Sequence, residues 1–189
     1  MNRGGLAGAA FELDDRFTGY TVEAILRDRL DGGKMMVRID DRDPGTVRTL
    51  EACARAIDRL AAARRPAMIE VFAVERVDGR VAMAGRVDLL ARALAIASGL
   101  GGTSAYTWLK VPVAEDTARV LAATTLPTFL LGGDPGADAA TTFRRWEGAM
   151  ALPQVKGLVV GRTLLYPGDG DVAAAVDAAA AIVSGTAGS

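Results

Sequence analysis

Apolar residues recur along this chain in two alternating rhythms, one of period near 3.6 and one of period 2, and the alternation itself predicts the architecture. Val22, Ile25, Leu26 and Leu30 stand at helical spacing and are stopped by Gly32-Gly33, which predicts an amphipathic helix over Tyr20–Leu30. Lys34–Asp40 then alternates, with Met35, Val37 and Ile39 on one face and Met36, Arg38 and Asp40 on the other, as in a strand. Asp43-Pro44 opens a second helix, carried by Val47, Leu50, Ala54, Ile57 and Leu60 to a stop at Arg64-Arg65-Pro66. Ala67–Val74 is a second strand, and a polar excursion around Asp78-Gly79-Arg80 precedes a helix through Leu89, Leu90, Ala93, Leu94 and Ile96 that Gly99 and Gly101 end. Tyr106–Pro112 is a third strand, a helix runs from about Glu115 to Ala123, and Pro127–Asp134 is a fourth strand passing into a glycine pair. A helix over Thr142–Met150, with Phe143 and Trp146 on its apolar side, leads to a last strand, Val155–Thr163. Asp171 caps a final alanine-rich helix that reaches Val183. Residues 1–17 show no period and read as an N-terminal loop, and 184–189 read as a flexible tail.

About five strand–helix units with near-continuous apolar strands and short connections imply an α/β fold, with a parallel sheet covered by helices in a single domain over residues 1–189. An open doubly wound sheet and part of a (β/α) barrel both fit that order. No Gly-x-Gly-x-x-Gly lies between a first strand and a helix, so the dinucleotide fingerprint is missing. The charges favour the barrel. In each strand they share the parity opposite to the apolar face and gather toward the C-terminal end, so Arg38, Asp40, Glu70, Lys110 and Arg162 converge at one mouth, where barrel enzymes keep their catalytic groups.

Composition narrows the chemistry. At 189 residues and 50% hydrophobic, the chain can bury one good core. Its apolar runs are too short to span a bilayer and no signal peptide opens it, which gives the expectation of a cytoplasmic protein with no membrane partner. A formal charge of -1 with both signs scattered offers no basic stripe, so nucleic acid is not an expected partner. Cys53, alone, falls in a helical pattern and serves packing. Histidine is absent, which excludes Ser-His-Asp and Cys-His arrangements and removes the commonest zinc ligand. What remains is chemistry run by lysine, arginine and carboxylates, with no metal and no cofactor expected.

Lys110 is the natural centre of that chemistry. An ammonium on the inner face of a buried strand is costly, and burial favours the neutral amine, which attacks carbonyl carbon to form an imine. Arg38 and Arg162 nearby would oppose its protonation, while Glu70 or Asp40 would shuttle protons and Tyr106 is a weaker donor. Gly132-Gly133 and Gly161 follow consecutive strands and let backbone N–H groups approach an anion, with Arg162 adding a charged contact; Asp134 reads as a turn residue. The bland reading of the five charges is an ion-pair network that closes the mouth.

Trp108-Leu109-Lys110-Val111-Pro112-Val113, Leu130-Leu131-Gly132-Gly133-Asp134-Pro135 and Gly157–Pro167 resemble the class I aldolases of the deoxyribose-phosphate and tagatose-bisphosphate aldolase superfamily. The match is closest to an aldolase-like barrel family associated with myo-inositol catabolism, and it covers nearly the whole chain. The resemblance implies a (β/α) TIM-barrel type, a Schiff-base role for Lys110 on the sixth strand, and phosphate binding by Gly132, Gly133, Gly161 and Arg162. A phosphorylated sugar or ketose is the implied substrate. Counting back from Lys110, Met35–Asp40 becomes the fourth strand, whereas a whole barrel needs about 250 residues. The expectation is therefore an incomplete, N-terminally truncated barrel whose exposed edge strand invites homo-oligomerisation. Two functions follow: a lysine aldolase or its remnant, or a non-catalytic partial barrel that binds a phosphorylated ligand or needs a partner chain.

Overall fold

The computed structural model describes residues 2, 13–132 and 139–185. Its elements, in order, are α1 (Val22–Arg27), β1 (Gly33–Ile39), α2 (Gly45–Ala62), β2 (Ala67–Val77), β3 (Arg80–Met83), α3 (Val87–Ser98), β4 (Thr107–Val111), α4 (Thr117–Leu121), β5 (Thr128–Leu131), α5 (Ala139–Met150), β6 (Val155–Val159), α6 (Arg162–Leu165) and α7 (Val172–Gly185). Side-chain oxygens of Thr21, Asp116 and Asp171 accept from the backbone N–H groups of Ala24, Arg119 and Ala174 and so fix the starts of α1, α4 and α7.

Five strands pair in parallel in the order β1-β2-β4-β5-β6, and β3 runs antiparallel beside β2. The expected alternation of parallel strands and helices is what the chain adopts. One departure is the hairpin: the polar excursion at Asp78-Gly79 is the turn of a β2–β3 ribbon. Asp78 (φ 49°) and Gly79 (φ 76°) both take positive φ, the geometry of a two-residue turn between twisted strands, for which Asp-Gly is well suited. The last strand also stops at Val159 rather than Thr163, and Arg162-Thr163 open α6 instead. The final helix runs through Ser184 and Gly185, which sequence reading assigned to the tail, while 186–189 lie outside the described residues.

The two faces of the sheet differ, and that difference positions the site. Met35, Val37, Ile69, Val71, Leu109, Val111 and Leu130 are wholly buried on the helix-covered face, against Ile57 and Leu60 of α2 and Leu94 of α3 in one core. The burial is the main stabilising term, roughly 25 cal/mol per Å² of apolar surface removed from water. Cys53 belongs to this core, and burial pushes its thiol up to about 12. The opposite face carries the other parity: Met36, Met68, Phe72 and Phe129 are half-buried and Trp108 is exposed. Among the described residues no helix covers that face, and β1 and β6 end the strand order without pairing with each other.

The edge of β1 is partly closed from an unexpected source. Asn2 donates through Nδ2 to the Met36 carbonyl (2.6 Å) and accepts at Oδ1 from the Met36 N–H (3.0 Å), so one carboxamide satisfies both backbone groups of an edge residue. The loop read over 1–17 thus packs where it is described, at Asn2 and from Leu13 onward; residues 3–12 lie outside the described set.

Candidate functional site

The helix-free face carries a lysine–carboxylate–lysine cluster across three adjacent strands. Glu70 on β2 and Lys110 on β4 are partners in the parallel register, and Lys34 sits on β1 two residues before Met36, the register partner of Glu70. Lys110 Nζ donates to Glu70 Oε1 at 2.7 Å and Lys34 Nζ donates to Oε2 at 2.7 Å. Their side chains are 15%, 48% and 7% exposed for Lys110, Lys34 and Glu70 respectively, so the carboxylate is the enclosed member and Lys34 the solvated one. Burial alone would raise the Glu70 pKa, but the hydrogen bonds and charges of Lys110 and Lys34 outweigh it and hold the carboxyl below its ordinary value. The cost of burying an ammonium at Lys110 is offset by this carboxylate partner. A proton can pass between Nζ and Oε1 along a single short contact.

Arg38 shares the face of Glu70 and Lys110 but is engaged elsewhere, and Asp40 lies just past the end of β1. Arg38 Nη1 donates to Asp15 Oδ2 at 3.2 Å, with both side chains buried, at 6% and 2% exposed. Asp15 is itself fixed, since its N–H donates to Thr49 Oγ1 (2.8 Å) and Thr49 Oγ1 donates to the Leu13 carbonyl (2.5 Å). The structure therefore ties Arg38 to the N-terminal loop, one layer above the Glu70–Lys110 pair. Asp40 Oδ1 accepts from the Arg42 backbone N–H (3.1 Å) and Nε (3.2 Å), and it lines a cavity of about 190 Å³ with Arg42, Glu75, Arg86 and Arg92 beyond the strand ends.

The glycine loops meet. Thr163 Oγ1, at the start of α6, donates to the Gly132 carbonyl at 2.7 Å, joining the end of β5 to the β6–α6 turn. A Cβ at Gly132 would fall 2.9 Å from Thr163 Oγ1, so the contact requires glycine there. Gly161 caps α6 and is open on its Cβ side, and Arg162 is exposed beside it. Gly133 and Asp134 lie outside the described residues. Tyr106 immediately precedes β4, four residues before Lys110.

Lys34, Asp15 and Asn2 are the members that sequence reading missed. Lys34 carried a signal, because it shares parity with Arg38 and Asp40 in its own strand. Among the described residues no three His, Cys, Asp or Glu side chains are grouped so as to hold a metal ion, and no helix is long and apolar enough to cross a membrane.

A family model described as Cgl0159-like matches residues 1–180. Cgl0159 from Corynebacterium glutamicum (Brevibacterium flavum), a solved structure, is 52% identical with a TM-score of 0.90; the match covers 98% of this chain and 62% of that one. An archaeal fructose 1,6-bisphosphate aldolase matches at 18% identity and a TM-score of 0.70, over 88% of this chain and 63% of that one. A structure of an archaeal fructose-1,6-bisphosphate aldolase with its catalytic Lys covalently bound to the carbinolamine intermediate matches at 18% identity and a TM-score of 0.67, over 86% and 62%. The chain thus spans under two thirds of the length of these structures. No curated protein matches it. At such identities the aldolases speak for fold: the open parallel sheet corresponds to a set of units of a (β/α) barrel, and the incomplete-barrel reading agrees with it.

Proposed function

Because this chain belongs to the Cgl0159-like family, with the fold of Schiff-base aldolases, we propose that it carries out, or contributes to, aldolase-type cleavage or formation of a C–C bond through an imine at Lys110. The observation that carries this reading is the Glu70 carboxylate held 2.7 Å from Lys110 Nζ, with Lys34 on its other oxygen. Glu70 takes a proton from the Lys110 ammonium, and the freed amine adds to the substrate carbonyl. The carbinolamine then loses its hydroxyl as water, with the proton returned by Glu70, and leaves a protonated imine. In cleavage Glu70 takes the proton of the hydroxyl β to the imine carbon. The C–C bond breaks into an aldehyde, and the bonding pair passes to nitrogen as an enamine. Protonation at carbon and hydrolysis by water restore the lysine. Lys34 is a positioning residue here, since its ammonium keeps Glu70 ionised and aimed.

A phosphorylated sugar or ketose fits this reading, its phosphate lying toward Gly132, Gly161 and Arg162, where two loop ends are joined at 2.7 Å. Cytoplasmic carbohydrate breakdown, including that of inositol, is the setting suggested by the sequence resemblance. A second reading rests on the helix-free face with exposed Trp108: a partial barrel that binds a phosphorylated ligand without turnover and is completed by a partner chain or a second copy at the β1 edge.

Borohydride trapping separates the two. The folded chain is incubated with small carbonyl phosphates, reduced and digested, and the adduct is located by peptide mass. The imine reading expects modification of Lys110 that disappears in Lys110→Ala. A folded protein that yields no adduct, or one on Lys34 instead, defeats it and favours the binding reading.

A further inference from the structure

The cavity beside Asp40, between α3 and the C-terminal halves of β1 and β2, stands apart from the lysine cluster, for none of Lys34, Glu70 and Lys110 lines it. Its floor is apolar. α3 presents Leu89, Ala93 and Ile96 at helical spacing, and Ile39 and Val74 complete the surface from the two strands. Its rim is charged in both signs, with the three guanidiniums of Arg42, Arg86 and Arg92 and the three carboxylates of Asp40, Asp41 and Glu75. Arg42 Nε donates to Asp40 Oδ1 (3.2 Å) and its Nη2 lies 4.0 Å from Glu75 Oε2, while Arg92 Nη2 lies 2.6 Å from Asp41 Oδ2. Arg86 differs, because its partner Asp88, at 2.7 Å, is not part of the lining. The arginines are exposed at the opening, whereas Asp40 is enclosed, its side chain 5% exposed. At about 190 Å³ the space is smaller than pockets for drug-sized ligands and suits a molecule of few heavy atoms.

We propose that this cavity binds a small zwitterion with an aliphatic tail, the class of α-amino acids to which leucine and valine belong. A lone anion of that size would meet the three carboxylates and a lone cation the three guanidiniums, whereas a ligand carrying both charges can face each to its opposite. Its carboxylate takes the fork of Arg86, the guanidinium whose present partner lies outside, and its ammonium lies toward Glu75 and Asp40. Exposed ion pairs contribute little to stability, so contacts with the ligand can replace them readily. The tail covers Ala93 and its apolar neighbours and releases the water over them.

The test is a titration of the isotope-labelled, folded chain followed by amide NMR. Leucine is compared with three analogues that each lack one feature: isocaproate has no ammonium, isopentylamine no carboxylate, and glycine no tail. None of the four carries an aldehyde or ketone, so the result does not depend on the imine reading. Leucine is expected to give saturable shifts centred on α3 and the β2–β3 ribbon, and each analogue should bind at least about tenfold more weakly. Arg86→Gln, at an exposed position, should weaken leucine by about tenfold and leave the circular dichroism spectrum unchanged. Ala93→Leu fills the floor and should abolish binding; if that variant does not fold, Arg86→Gln decides alone. Absence of saturable leucine binding overturns the proposal, as does an analogue that binds as tightly as leucine. Leucine affinity unaltered in Arg86→Gln, or in folded Ala93→Leu, overturns it too, because the ligand would then sit elsewhere.

Discussion

Replacing Glu70 by glutamine removes one charge from the enclosed end of the lysine cluster while keeping the shape of the side chain. The amide oxygen can accept from one lysine, but its NH₂ then faces the other, donor against donor. Lys34, 48% exposed, turns to water and loses an ion pair worth about 0–1 kcal/mol. Lys110, 15% exposed, has less room to do so, and loss of its charge-assisted bond costs about 1.5–3 kcal/mol. Together these give a loss of about 1.5–4 kcal/mol, or about 3–16 °C in Tm for a chain of this size. The loss depends on pH with a definite sign. The folded pKa of Glu70 lies below its usual 4.5, so its contribution is complete above 4.5 and disappears as pH falls through the folded value, where the native carboxyl takes up its proton. Urea denaturation of Glu70→Gln and the parent chain, followed by circular dichroism between about pH 7 and pH 3, should show a gap in stability that closes on the acid side. A gap below about 0.5 kcal/mol at neutral pH, or one that does not change with pH, refutes the assignment of Glu70 as the ionised hub.

Two further perturbations test the frame around the site. Asp15→Asn should cost about 3 kcal/mol, because it removes the negative charge that faces the buried Arg38 guanidinium, whereas Asp15→Leu combined with Arg38→Met should recover most of that loss; chemical denaturation of the three proteins checks it, and a single variant as stable as the parent sinks it. Gly101→Ala places a methyl group 2.8 Å from Ile57 Cγ2 at a φ of +80°, and should lower stability by about 1–3 kcal/mol in the same assay. An unchanged midpoint would mean that the α3–β4 loop repacks freely.

Much of the fold was readable because parallel strands declare themselves by parity. Met35, Val37 and Ile39 facing the helices, with Arg38 and Asp40 on the other side, is a pattern within one strand, and it placed Glu70 and Lys110 on a common face before their contact was known. The Asp78-Gly79 turn was equally local, and a hairpin could have been read from it. Asp15 and Asn2 were beyond reach for a physical reason: their partners Arg38 and Met36 lie 23 and 34 residues away, and no period connects a loop to an edge strand. The junction of Gly132 with Thr163 spans 31 residues in the same way, so the glycines suggested a close approach without saying to what. Lys34 was hidden by its position at the start of a strand, where a solvated end is the ordinary expectation for lysine.

The irregularity between β5 and β6 makes chain length more critical there than residue identity. Thr128 pairs with Val155 but Phe129 pairs with Gly157, so Lys156 is an extra residue on its strand. That one residue resets the alternation: Val155 and Leu158, three apart, both serve the helix-side core, and Gly157 can lie beside Phe129. Lys156 itself is exposed, with Nζ donating to the Pro153 carbonyl at 2.8 Å, and almost any side chain could replace it. Deleting it is another matter, because every following residue of the strand would change faces and Thr163 would arrive out of phase with Gly132. At this position a single-residue deletion acts like a frameshift written in three dimensions, and divergence of the sequence here should proceed by substitution while the spacing between Phe129 and Thr163 is kept.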